Sequence, residues 1–230
     1  MEEPALASLS LTHVSYNPAD WYSYMCAWLA LTPQALCVAY AILIWSTREV
    51  EVISMFIGQM ACEGLNWGLK RWIKEERPQQ MNGKGYGMPS SHAQFVAFFS
   101  VSLSLFLMAR HTPHPTRTHT PTSLFERGML SLTSIMCALA VAYSRVYLNY
   151  HTEKQVLVGC GAGTAFALVW FAMTSFVRSE GYIWRMLNHP AAEALRIRDL
   201  VIEEDLPDSG WARWVELKKK RNGLSGKKSK

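Results

Sequence analysis

Charge is scarce in this sequence. Only 18% of its 230 residues are Asp, Glu, Lys or Arg, against roughly 25% in an ordinary soluble domain, while 50% are hydrophobic. Cysteines at metal-binding spacing are also lacking. Cys26, Cys37, Cys62, Cys137 and Cys160 all fall inside apolar runs, so they read as buried thiols, not as a disulfide framework or zinc site. The glycine-containing stretch 78–89, PQQMNGKGYGMP, lacks the Walker pattern. That argues against a nucleotide P-loop and leaves a rim over a site or a plain turn. Residues 1–20 contain no Lys, no Arg and no long apolar core. No cleavable signal peptide is therefore expected, and the first span would direct insertion itself. The net charge is +5, but many of the basic residues flank apolar spans and no nucleic-acid motif is present. Membrane anchoring and anion binding explain that charge better than nucleic acid does.

Five apolar windows approach the ~20 residues that cross a bilayer: Met25–Trp45, with Pro33 as a kink, Val50–Leu69, Ala93–Ala109, Gly128–Tyr147 and Val156–Val177. The expected fold is all-α, a polytopic membrane helix bundle of about five transmembrane helices. Residues 1–24 would be a lumenal segment, 25–177 the membrane domain, and 178–230 a cytosolic basic tail with an interfacial helix near Trp184. Whether the first span crosses fully or dips is left open by Pro33 and Gln34. A tail rich in Lys and Arg belongs in the cytosol by the positive-inside tendency. With five spans, the N-terminus then lies on the opposite side. The final KKSK resembles a dilysine retrieval signal of the endoplasmic reticulum, which works only on a cytosolic tail.

The second span is the least apolar, with Glu51, Gln59, Glu63 and Asn66. Polar groups at membrane depth face the protein interior or a wet cavity. Glu63 and Asn66 share a helix face, either as a buried interhelical hydrogen bond or as support for a neighbouring site. Gly159 and Gly163 form a GxxxG, read as close helix packing. The stretch 110–127 is rich in Thr, Pro and His. Its His111, His114 and His119 leave metal binding open, with a solvated loop the blander reading.

Basic residues also gather where the topology would not place them, between the second and third spans. Lys70, Lys74 and Arg77 are spaced as one helical stripe, which Pro78 would end. Ser91 and Gln94 match a capping box, so a helix is expected to start there with His92 in its first turn. Thr152 and Gln155 match a second box, with His151 just before it. Arg145 and His151 are six apart and would not share a helix face, but a turn between spans brings them together. Cations, two histidines and two helix N-termini at one membrane face are what phosphoryl transfer needs. Arg grips phosphate oxygens. Fixed positive charge stabilises the transition state. One imidazole can attack phosphorus while another protonates the leaving oxygen.

K-x6-R-P at 70–78, PSSH at 89–92 and SR-x5-H at 144–151 resemble, in order, the three-part signature of the type 2 phosphatidic acid phosphatase superfamily. More narrowly, NWGLKRWIKEERP, YGMPSSHAQF and YSRVYLNYHTEKQVLVG are similar to the dolichyl diphosphatase family within it. The resemblance covers roughly residues 50–177. It implies that Lys70, Arg77 and Arg145 hold phosphate, with hydrogen bonds from Ser90 and the Ser91 amide. It also implies that His92 is the general acid and His151 the nucleophile. No cofactor, no metal and no obligate protein partner are implied; the partners are a polyprenyl diphosphate lipid and the bilayer.

Two positions depart from the family pattern. Ser91 stands where Gly is usual. Gln155 stands where an Asp usually orients the nucleophilic His; Glu153 is a substitute only if it faces the ring. The implied reaction is hydrolysis of dolichyl diphosphate at the lumenal face of the endoplasmic reticulum, serving N-glycosylation. Phosphatases of other lipid phosphates, a non-catalytic lipid-phosphate-binding protein and a transporter remain alternatives on the residues alone.

Overall fold

The computed structural model describes residues 7–9, 14–78, 85–115, 120–208 and 210–227. Long apolar stretches have no water to satisfy their backbone in a bilayer, so they close their hydrogen bonds internally as helices. The first window is α1 (Trp21–Leu29) and α2 (Thr32–Thr47). The break between them falls just before Pro33, which sits in the first turn of α2, where a missing N–H costs nothing. Next come α3 (Val50–Ile73), α4 (Ser91–Leu105) with a π-helical turn at Phe106–Arg110, α5 (Leu124–Tyr147) and α6 (Glu153–Ser179). Among the described residues, four stretches are long and apolar enough to cross a bilayer: Trp21–Thr47, Ser91–Arg110, Leu124–Tyr147 and Glu153–Ser179. The chain is a multipass membrane protein. Helix α3 matches them at 24 residues, about 36 Å, but its polar residues keep it below their apolarity.

Helix α4 is the hub, packed on α3, α5 and α6. Its contact with α6 is set by the two glycines. A Cβ on Gly159 would lie 2.7 Å from Ser90 O, and one on Gly163 would overlap Gln94 O. The outward faces stay apolar, with Leu132, Met136 and Leu139 of α5 and Leu168 and Val169 of α6 exposed. Exposed tryptophans mark both ends of the bundle, Trp67 and Trp72 late in α3 and Trp45 late in α2, as at two membrane interfaces. The cysteines are free. Cys26 and Cys62 are buried, but Cys137 lies on an outward face, because an apolar surround here includes the bilayer side.

Two features escaped the sequence reading. A two-stranded antiparallel hairpin, β1 (Ala7–Leu9) and β2 (Val14–Tyr16), precedes α1. After α6 come α7 (Tyr182–Leu187), the helix expected near Trp184, and α8 (Pro190–Ala194). The chain then folds back under the end of the bundle remote from Ser90, before α9 (Trp211–Lys227). There Glu51 binds Arg110 (2.5 Å) and Arg178 (3.1 Å), and Arg178 also pairs with Asp199. Glu49 Oε2 accepts from the N–H groups of Leu200 and Val201. His111 spends both ring nitrogens on Val201 O and Asp205. It therefore serves as a buried clamp, not as a metal ligand. His119 lies outside the described residues, as do residues 228–230 of KKSK.

Candidate active site

At the other end, six segments converge on one cavity of about 170 Å³. The stretch after α3 supplies Arg77, with Lys70 of the last α3 turn behind it. The start of α4 supplies Ser91 and His92, with Ser90 behind them. The end of α5 supplies Arg145, and the α5–α6 turn supplies Tyr150 and His151. The fifth segment is the α1–α2 break, which brings Ala30 and Gln34 to the wall, and the sixth is the N-terminal segment, which brings Val14.

The expected single stripe of Lys70, Lys74 and Arg77 does not exist. Helix α3 ends at Ile73, and Lys74 adopts a left-handed cap (φ 54°) that turns the chain. Lys74 is exposed, while Arg77 swings back into the cavity wall with its Nε buried and unpartnered among the described residues. Lys70 stands behind the cavity lining, close enough for its charge to act on His151.

The capping box expected of Ser91 and Gln94 is also absent. Ser90 is the N-cap, and its hydroxyl makes no cap bond. Gln94 is drawn inward instead: its Nε2 donates to Cys62 O (2.9 Å) and its Oε1 accepts from Asn66 (2.8 Å). A buried amide between two helices satisfies both of its ends this way. Asn66 thus braces α3 against the start of α4, whereas Glu63 leaves its Oε1 without a partner among the described residues. The result is an uncapped helix start whose first N–H groups and the Ser90 hydroxyl are free for an anion. His92 is fixed by Nε2–H donating to Ala30 O (3.1 Å), a carbonyl released by the break between α1 and α2.

Arg145 is almost fully buried, and its Nε and Nη1 have no hydrogen-bond partner among the described residues. Tyr150 lies under the guanidinium at 4.4 Å from the ring centroid. The Tyr150 hydroxyl in turn accepts from the Ser15 N–H (2.8 Å), so the N-terminal hairpin roofs the site. The anticipated turn does join Arg145 to His151: Asn149 takes a left-handed conformation, and the His151 N–H donates back to Arg145 O (3.2 Å).

The Thr152–Gln155 capping box forms as expected. Gln155 does more. Its Oε1 accepts from His151 Nδ1 (3.2 Å), while its Nε2 donates to Glu75 Oε1 (3.1 Å) and Glu76 O (2.8 Å). A carboxylate therefore does stand behind the histidine, one amide removed. It is Glu75, which sequence reasoning missed, and not Glu153, which is exposed. Lys154 and Gln155 hold the Glu75 carboxyl below its usual range. The His151 imidazole is pushed down to about 4 by burial first and by the Arg77 charge second. It is thus neutral, with Nε2 uncommitted, at physiological pH.

Two imidazoles, two guanidiniums with orphaned donors and a bare helix start are groups able to hold an anion and to offer it a nucleophile and an acid. The PAP2 superfamily model matches residues 37–179. The chain belongs to the PAP2 superfamily. A Neurospora crassa protein with the provisional name dolichyldiphosphatase is 49% identical over 272 aligned positions, covering 97% of this chain and 96% of its own. Human Dolichyldiphosphatase 1 is 41% identical over 195, covering 83% of this chain and 81% of its own. The transmembrane PAP2 type phosphatidylglycerolphosphate phosphatase from Bacillus subtilis superposes with a TM-score of 0.57 at 20% identity, covering 68% of this chain and 78% of that one. That likeness concerns the fold. The PAP2 match begins at residue 37, so Val14, Ala30 and Gln34 reach the cavity from outside it.

Proposed function

We propose that the protein hydrolyses dolichyl diphosphate to dolichyl phosphate and inorganic phosphate. The observation that carries the reaction class is the set of buried donors, unpartnered among the described residues, on Arg77 and Arg145 around one cavity with His92 and His151, with the unpartnered Ser90 hydroxyl at the adjoining helix start. The names of the relatives carry the lipid. Arg77, Arg145, Ser90 and the amides that open α4 hold the terminal phosphate, and Lys70 adds charge from behind. His151 Nε2 attacks phosphorus and the bond to the bridging oxygen breaks. Dolichyl phosphate leaves with a proton from His92. With Nε2–H tied to Ala30, the transferable proton is a second one, on Nδ1 of the His92 imidazolium that the negative charge of the bound diphosphate stabilises. Water then cleaves the phosphohistidine, giving up a proton to His92 and releasing inorganic phosphate. Gln155 fixes the His151 tautomer and relays the Glu75 charge as the ring becomes cationic.

The basic tail supports a cytosolic C-terminus and a lumenal site in the endoplasmic reticulum, where the reaction would recycle the carrier lipid of N-glycosylation. Residues 25–177 would be the catalytic domain, and Trp184, Trp211 and Trp214, all exposed, suit an interfacial tail. The test is phosphate release from dolichyl diphosphate by purified protein in EDTA, with an acid-labile phosphoprotein trapped from substrate labelled in its terminal phosphate. Release and trapping that both vanish in His151→Ala support the reading. Turnover of a lysophospholipid phosphate in place of dolichyl diphosphate would keep the chemistry and discard the lipid.

A further inference from the structure

Next to the phosphate cavity lies a larger one of about 410 Å³ between α2, α3 and α4. Gln34, Ser91 and His92 line both, so the two cavities adjoin at His92. The larger arm is walled by apolar groups, Pro33, Cys37, Met60 and Phe95 among them. Glu63 breaks that pattern. It lines the apolar arm beside His92, and its Oε1 is buried without a hydrogen-bond partner among the described residues. Lys70 lies seven residues further along α3, about 10 Å up the axis, and serves the phosphate end.

A buried polar atom without a partner costs about 1–3 kcal/mol, and the hydrolysis described above gives Glu63 no task. A diphosphate lipid supplies one. With the terminal phosphate among Arg77 and Arg145 and the bridging oxygen at His92, the inner phosphate falls past His92, where the apolar arm begins. A carboxyl can contact a phosphoryl oxygen when one proton lies between them. A monophosphate ester instead sets its first methylene there and leaves the carboxyl oxygen unpaired, the arrangement that discriminates most sharply between substrates.

We infer that Glu63 is the subsite for the inner, lipid-linked phosphate, that the first isoprene units lie in the apolar arm, and that Glu63 selects diphosphates over monophosphates. The inference rests on the phosphatase reading above.

The test uses the full chain in detergent with geranylgeranyl diphosphate and geranylgeranyl monophosphate, which share a lipid and differ by one phosphate, and with dolichyl diphosphate as reference. The diphosphate-to-monophosphate ratio of kcat/KM is expected to fall at least about tenfold in Glu63→Leu, mainly through KM for the diphosphate. It should stay within about threefold of the native value in Glu63→Gln, which keeps a donor. Inhibition by orthovanadate, which needs only the phosphate cavity, should be unchanged in both. Glu63→Ala gives the same reading should the leucine variant not fold. An unchanged ratio in Glu63→Leu or Glu63→Ala, or an equal fall on both substrates, overturns the assignment of Glu63 while native turnover of dolichyl diphosphate leaves the phosphatase reading standing. A native protein that hydrolyses none of the three overturns both.

Discussion

Removing the charge of Glu75 while keeping its shape, as Glu75→Gln, isolates the relay behind His151. The two hydrogen bonds of Gln155, 3.2 Å to His151 and 3.1 Å to Glu75, join across one amide. They set the carboxylate about 8 Å from the imidazole. At an effective dielectric of about 20, a charge pair at that distance is worth about 2 kcal/mol. Glu75 is 31% exposed and shared with Lys154, so solvent screening brings the figure to about 1 kcal/mol. The ring is neutral in the free protein and cationic only during attack, so the loss belongs to kcat. Glu75→Gln is expected to lower kcat by about fivefold with KM nearly constant. Gln155→Leu removes orientation as well and should cost about 10²- to 10⁴-fold. Gln155→Asp puts two carboxylates side by side and should be rescued by adding Glu75→Gln. Steady-state kinetics on dolichyl diphosphate at low and high salt decide it: the native advantage over Glu75→Gln should shrink with salt. A Glu75→Gln enzyme with native kcat, or one impaired only in KM, would refute the relay.

Because His151 is pushed down to about 4, the acid limb of kcat/KM should lie near that pH and not near the ordinary histidine value. Arg77→Met, which removes the second cause, should move it upward. The same shift acts on stability: unfolded His151 binds a proton below about pH 6.5 while the folded one does not until about 4. Native stability from this group is full above that window and falls as pH drops through it, and chemical denaturation of His151→Gln should show a flatter slope there. Gly159→Ala sets a Cβ against Ser90 O at 2.7 Å; activity should fall at least tenfold with only a small change in thermal midpoint. At the far end, Glu51→Ala leaves Arg110 and Arg178 short of their buried partner. It should cost about 3–5 kcal/mol in a denaturation assay, with kcat per folded molecule unchanged.

Most of the proposed site residues were legible in sequence because Lys70, His92, Arg145 and His151 lie at or beside helix ends, and helix ends carry local signatures. Pro33, Thr152 and Gln155 each marked a boundary found in the structure. Ser91 with Gln94 also marked the start of α4, but its capping bond did not form, since Gln94 had a better offer across the bundle from Asn66 and Cys62 than from its own first turn. The stripe of Lys70, Lys74 and Arg77 misled because one left-handed residue, Lys74, ended the helix before Pro78 could. Glu75 could not be singled out: its meaning depends on Gln155, eighty residues away. His111 looked like a loop residue until the returning tail supplied Val201 and Asp205.

By itself, then, the sequence determined a membrane-embedded helical chain and which cationic and imidazole groups to look for near one membrane face, because hydrophobic length and helix-end chemistry are local properties. Tertiary structure alone decided which carbonyl fixes His92, which carboxylate stands behind His151, and that Glu63 opens onto an apolar arm. Those contacts form between segments distant in the chain, and no local pattern encodes them.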